Sequence, residues 1–390
     1  MNEEPTITSS LSIKLLRTIG TTLTTTEASG DNNESLELYD HAVKNKIPLL
    51  YLESLKQQGE LNKLNLKYEE ERVQYLKFLN GAARVSEVLN VTKIEYAIFK
   101  TIKPYPAVAG DVDIIILGDD GMYKQAVETL LKTGYIPQLP NLVNVKTLTS
   151  EEEYKKAVEI LVTPTHGGGK YGLKHISPTG TDFIDQEWDV GIDLQKELAL
   201  SHVIYMDKNN FKGYITETEL LNGVRIKTLT PELDVAVVIA HSLAEQMYLL
   251  GEFYTFLCRL SEMDEKRMDN FIAILKENKL TMAAKSFVTI TAVLCEEAYG
   301  EVPKKIEKLL DDLGYDDTEA ERLIKNGFKV PHRYGWLTLI KVFLEKMKEK
   351  RFRRSVLVQI IKMVNPRLMR LVIRSLIEMR KREYYLKKVE

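Results

Sequence analysis

The chain has 390 residues, with 54 Lys+Arg against 56 Asp+Glu, 44% hydrophobic residues, 21 Gly, 12 Pro and two cysteines, for a formal net charge of −2. The apolar share excludes global disorder and suits two or three compact units of about 100–200 residues each, while the Gly and Pro counts exclude a collagen-like or low-complexity chain. Cys258 and Cys295 are too few for a disulfide scaffold, no apolar run approaches the roughly 20 residues that span a bilayer, and the start lacks a secretory pattern, so a cytoplasmic protein is expected.

Residues 1–33 are Thr/Ser-rich and weakly patterned, which predicts a loosely ordered segment around one short helix near Ile13–Ile19. From 34 to 90 apolar residues recur at helical spacing, as in Val73, Leu76, Leu79, Ala82, Val85, Val88 and Leu89. The character changes in 91–229. Tyr96 to Phe99 and Val112 to Leu117 have strand composition; Asp119-Asp120-Gly121 then supplies a cap for a helix from Met122 to Lys132, stopped by Gly134. Further strands are predicted at Leu142–Lys146, Ile160–Thr163, Tyr171–Ser177 and Glu187–Leu194. From Thr230, with Pro231 in the first turn, the chain is helical again through 335, with helices near Asp264–Asn278, Thr281–Tyr299 and Pro303–Leu313. The order predicts an α+β fold: a mixed β-sheet core flanked by helical regions.

The last part, 336–390, is a basic helical tail in which Pro366 should separate two helices. Residues 341–390 alone hold a net of +11, leaving −13 for residues 1–340. Such a segment can dock on the acidic body, stand in solvent, or contact RNA phosphates or a membrane surface.

Asp111 and Asp113 carry the most chemical information. In a strand, positions i and i+2 share a face, which sets two carboxylates about 6–7 Å apart along the backbone and able to converge on an ion. Mg²⁺ or Mn²⁺ takes oxygen ligands and keeps several waters, so one or two carboxylates plus substrate phosphates suffice. Asp193, placed by alternation opposite Trp188, Val190, Ile192 and Leu194, is the third candidate, with Asp189 in reserve.

With Ile98-Phe99-Lys100-Thr101 before it, this pattern resembles the DNA polymerase β-like nucleotidyltransferase superfamily. The resemblance is closer to its uncharacterised nucleotidyltransferase family: Lys100, Tyr105-Pro106, Gly110-Asp111-Val112-Asp113 and Ile192-Asp193-Leu194-Gln195 match that family's turn, spacer, Asp pair and third-carboxylate strand. It covers roughly residues 35–310. Two positions depart from the pattern, Thr101 standing for Gly and Gln195 for His.

The resemblance implies transfer of NMP from an NTP, ATP among them, to an acceptor hydroxyl with release of pyrophosphate. Asp111, Asp113 and Asp193 would hold the metal ions, and Lys100 and Thr101 would meet the triphosphate. The glycine-rich stretch Thr165 to Lys170 lacks P-loop spacing, yet Lys170, Lys174 or His175 are candidates to border the site. His166 and His175 lack partners at zinc-ligand spacing, and His241 reads as a packing residue. Two other readings compete: a degenerate module that binds nucleotide or RNA, and a toxin/antitoxin-type transferase.

Overall fold

The computed structural model describes residues 10–20, 32–137, 148–162, 180–200, 203–221, 223–364 and 369–370. The first helices are α1 (Leu11–Ile19), α2 (Asn32–Lys44), α3 (Pro48–Gln58) and α4 (Asn65–Val91). Ser10 caps α1 by accepting a hydrogen bond from the Ile13 amide, and Pro48 sits in the first turn of α3, where its missing N–H costs nothing. Then come β1 (Tyr96–Ile98), β2 (Asp111–Ile116), α5 (Asp120–Lys132), β3 (Ile136–Pro137), α6 (Glu151–Val162), β4 (Gly180–Asp185), β5 (Val190–Gln195), β6 (Leu198–Leu200), β7 (Val203–Met206), β8 (Ile215–Glu219) and β9 (Arg225–Leu229). The C-terminal part holds α7 (Pro231–Ala244), β10 (Met247–Tyr248), α8 (Leu250–Glu262), α9 (Glu265–Glu277), α10 (Thr281–Tyr299), α11 (Lys304–Leu313), α12 (Asp317–Lys325), β11 (His332–Arg333), α13 (Trp336–Lys346) and α14 (Lys350–Met363). The α+β class expected from the sequence is what forms.

Seven strands make a mixed sheet in the order β3-β4-β5-β2-β1-β9-β8, in which β2 and β5 run parallel, as do β1 and β9. Alternation gives the sheet two different faces. On one, Tyr96, Ile98, Val112, Ile114, Ile116, Ile192 and Leu194 pack against Phe78, Leu79, Ala82 and Val85 of α4 and Tyr123, Val127 and Leu130 of α5. On the other, Ala97, Phe99 and Ile115 join a larger core shared with α1–α3 and α7–α12. Asp111 and Asp113 belong to this second face. The carboxylates therefore look toward the C-terminal helices.

Several expectations are corrected. Residues 160–162 close α6 instead of forming a strand, because Ser150 and Glu153 cap it reciprocally: the Ser150 amide donates to Glu153 Oε2 at 2.9 Å and the Glu153 amide to Ser150 Oγ at 3.2 Å. The strand predicted for 187–194 starts only at Val190, since residues 186–189 form the hairpin turn after β4. The part of the N-terminal segment that is described is not loose. Arg17 Nε donates to the Ala298 carbonyl at 3.0 Å, and Leu15 and Leu16 are fully buried. The strands predicted at 142–146 and 171–177 lie outside the described residues. Cys258 and Cys295 are both free thiols, pushed up by burial to about 11 and about 12. Among the described residues no helix is long and apolar enough to cross a membrane.

Candidate active site

Parallel pairing of β2 with β5 sets Asp113 opposite Asp193 and Asp111 opposite Gly191. Antiparallel pairing of β4 with β5 sets Asp182 opposite Asp193. Asp182, Asp193 and Asp113 thus form a row across three neighbouring strands, with Asp111 two residues away on the same face. Glycine permits a close approach at two points. A Cβ on Gly191 would lie 3.3 Å from Asp111 Cβ, and one on Gly180 would lie 2.9 Å from the Leu194 carbonyl oxygen and 3.5 Å from Asp193 Oδ1.

Lys100 enters from the end of β1. The Phe99 amide donates to the Asp113 carbonyl at 3.1 Å, and Lys100 then takes a left-handed conformation with φ 50°. Its Nζ reaches Asp113 Oδ1 at 3.0 Å, while its amide points at Asp234 Oδ1, 3.4 Å away. Asp234 in turn accepts from Arg259 Nε at 3.0 Å, which ties the turn to α7 and α8. A lysine costs more than glycine at this φ, so the turn is held by contacts on both sides.

Thr101, where the resembled family has glycine, is not left-handed. It is buried, and its hydroxyl donates to the Phe99 carbonyl at 3.2 Å, so the group expected to meet the triphosphate is spent within the turn. Further along the spacer, the Tyr105 hydroxyl donates to the Gly251 carbonyl at 2.8 Å and pins the loop beneath α8.

Electrostatics single out the same residues. Burial pushes Asp113 up to about 6 against the pull of Lys100, with Asp111 adding to the rise. Asp193 is pushed well above the carboxylate range by burial, then by Asp113 and Asp182. Burial would lower Lys100, but Asp113, Tyr205, Asp193 and Asp111 outweigh it and hold the ammonium charged. Burial and mutual repulsion thus favour protonation within the carboxyl cluster beside this one lysine.

Gln195, where the resembled family has histidine, donates from Nε2 to Asp193 Oδ2 at 2.7 Å, and its Oε1 is buried without a hydrogen-bond partner. Four further groups surround the cluster that the sequence did not single out as site residues. Tyr205 on β7 is buried within the field of Lys100, Asp113 and Asp193. His241 on α7 lies with its ring 6.2 Å from that of Tyr205, and burial followed by Lys100, Lys46 and Lys103 holds it neutral. Lys46 and Lys103 therefore add positive potential at the same edge.

Asp189 is corrected out of the site: it sits exposed in the hairpin turn with φ 54°, whereas a strand residue would have shared the face of Asp193. Lys170, Lys174, His166 and His175 lie outside the described residues. Asp182 was legible in principle, since Gly180 to Asp185 alternates cleanly once read as a strand.

The donor set suits a hard divalent cation: carboxylate oxygens whose proton affinity is raised first by burial and then by neighbouring carboxylates, and an orphaned amide oxygen beside them. Among the described residues no three of His, Cys, Asp or Glu stand close enough to hold an ion unaided, so substrate phosphates would have to complete the shell. No family model matches this sequence, and no curated protein matches it.

Proposed function

We propose that the protein is a metal-dependent nucleotidyltransferase that moves NMP from an NTP to an acceptor hydroxyl and releases pyrophosphate. The observation that carries this reading is Asp113 set opposite Asp193 on adjacent parallel strands, with Lys100 Nζ 3.0 Å from Asp113. The resemblance to the uncharacterised nucleotidyltransferase family rests on the same residues. Asp111, Asp113 and Asp193 would hold Mg²⁺ or Mn²⁺, which supplies charge neutralisation on the triphosphate and lowers the acidity barrier of the acceptor hydroxyl. Lys100, with Lys103 and Lys46 behind it, offers positive charge to the leaving pyrophosphate.

Gln195 donates to Asp193 Oδ2, and Asp193 Oδ1 stands 3.5 Å from where a Cβ on residue 180 would lie. As the acceptor oxygen bonds to the α-phosphorus and the bond to pyrophosphate breaks, its proton passes to an Asp193 carboxylate oxygen.

To test this, each α-labelled NTP is incubated with the protein, Mg²⁺ or Mn²⁺, and an extract containing RNA, protein and small molecules. Label should appear in one acceptor class and be lost in the double variant Asp111→Asn, Asp113→Asn; transfer unchanged in that variant overturns the assignment. The Lys100–Asp113 ion pair and the Gln195–Asp193 hydrogen bond favour a second reading, a non-catalytic module that binds nucleotide or RNA with its carboxylates already partnered. Saturable NTP binding with no pyrophosphate release would select it.

A further inference from the structure

The helices α13 and α14 are fixed to the body by one side only. Thr338 donates to Glu319 Oε1 at 2.6 Å, Phe352 and Val356 are buried, the Ile204 amide donates to Ser355 Oγ at 3.2 Å, and Arg351 Nη2 meets both oxygens of Glu197 at 2.8 Å. Phe343 and Phe352 stack edge-on at 5.7 Å and join the two helices into one unit. The other side of each helix is apolar and open. Trp336, Leu337, Ile340 and Leu344 recur at helical spacing along α13, and each is 51–63% exposed. Leu357, Ile360, Ile361 and Val364 repeat the pattern on and just beyond α14 at 54–79% exposure. Large apolar side chains in such runs mark a contact surface, because isolated exposure is common but contiguous stripes are not.

Charge decides what the surface contacts. Lys341, Lys348, Lys350, Arg353 and Arg354 are exposed around the stripes. The only carboxylates between 336 and 364 are Glu345 and Glu349, and both are engaged by backbone amides, Glu345 by Met282 at 2.7 Å and Glu349, at the start of α14, by Arg351 at 2.7 Å. The open face therefore combines apolar side chains with cations alone. A second copy of the chain would bring cation against cation. RNA would use the cations and leave the Leu and Ile side chains in water.

We infer that α13 and α14 form a docking face for an anionic lipid bilayer, with the apolar stripes entering the acyl boundary and the Lys and Arg side chains reaching the headgroups. Both halves of such binding, buried apolar area and attraction to anionic lipid, are present in one rigid element, and an indole at the polar–apolar boundary is favourable. The inference is independent of the transferase reading.

The full-length chain carries two tryptophans, so Trp188→Phe leaves Trp336 as its sole indole fluorophore. That protein is mixed with phosphatidylcholine vesicles with and without phosphatidylglycerol, and both co-sedimentation and Trp336 emission are read. Sedimentation with the anionic vesicles and a blue-shifted emission are expected, with partitioning at least about tenfold weaker into neutral vesicles or in the variant Leu337→Glu, Ile361→Glu. Circular dichroism and the unfolding midpoint of that variant should match the parent, since both positions are exposed. Failure to partition into anionic vesicles overturns the inference, and so does partitioning that the variant leaves unchanged. Loss of a dimer in the variant, or capture of RNA or an acidic protein without vesicle binding, likewise assigns the face to another occupant and overturns it.

Discussion

Asp113 is almost wholly buried, and its environment favours the protonated form. A carboxyl whose pKa is raised on folding contributes stability that is fully present below its unfolded pKa and lost as pH rises through the folded value, here about 6. Above that point the ionised group costs the fold on the order of 2–3 kcal/mol, the attraction of Lys100 being already contained in the folded value. Asp113→Asn is therefore expected to be more stable than the native chain by about 2 kcal/mol near pH 8, with the difference gone near pH 4. Urea unfolding at the two pH values checks this, and an Asn variant less stable near pH 8 would contradict it. Mn²⁺ should raise the midpoint of the native chain and leave the variant's unmoved. Asp111, Asp113 and Asp193 were legible in the sequence because alternation within apolar strands places carboxylates on one face without any knowledge of the partner strand. Tyr205 and His241 were not, since their meeting depends on which strands and helices become neighbours, and Asp182 becomes legible only once Gly180 to Asp185 is read as a strand.

The junction of α12, β11 and α13 is organised by a single buried carboxylate. Glu319 accepts from His332 Nε2 at 2.7 Å, the Gly335 amide at 2.7 Å, Thr338 Oγ1 at 2.6 Å and Arg322 Nη1 at 3.1 Å. Burial alone would raise its pKa, but the hydrogen bonds from His332, Thr338 and Gly335 outweigh it and hold the group down at about 2. The sign is opposite to that of Asp113: the stability is present above the usual glutamate range and is lost as pH falls toward about 2. Glu319→Gln should cost about 3 kcal/mol near neutral pH, and the gap between variant and native should narrow in acid as the native carboxylate takes up its proton. A constant gap from neutral to acid pH would show that packing, not charge, sets the cost. At this scale α9 was legible because its Asp264 cap and its apolar spacing agree, whereas α7 and α10 were legible from apolar spacing, with Pro231 in the first turn of α7, and have no side-chain cap. Residues 160–162 were misread because Ile, Leu and Val favour strands locally, while the deciding signal, Ser150 with Glu153, lies ten residues upstream.

The opposed charges of body and tail were visible in composition, and docking of the tail on the acidic body was among the expectations, but the partners were not legible, because they are distant in sequence. Arg351 bridges to Glu197 and Asp207, which flank the β6–β7 hairpin, and Lys346 Nζ donates to the Asn278 carbonyl. Phe352 and Val356 are buried, and beyond Val356 the side chains of Leu357, Val358, Ile360, Ile361 and Val364 are exposed. The beginning of the basic tail is thus part of the folded body, and it braces β7, the strand that carries Tyr205 to the carboxylates. Removing residues 341–390 should destabilise the protein by more than about 3 kcal/mol, since it exposes the ground beneath a buried Phe and strands Glu197 and Asp207 without their cation. Removing only 365–390 spares every one of those contacts and should change stability by less than about 0.5 kcal/mol. Denaturant unfolding of the two truncations against the full chain checks both expectations. Equal losses in the two would mean that the anchoring extends past Val356, and no loss in either would mean that Arg351 and Phe352 hold nothing in place.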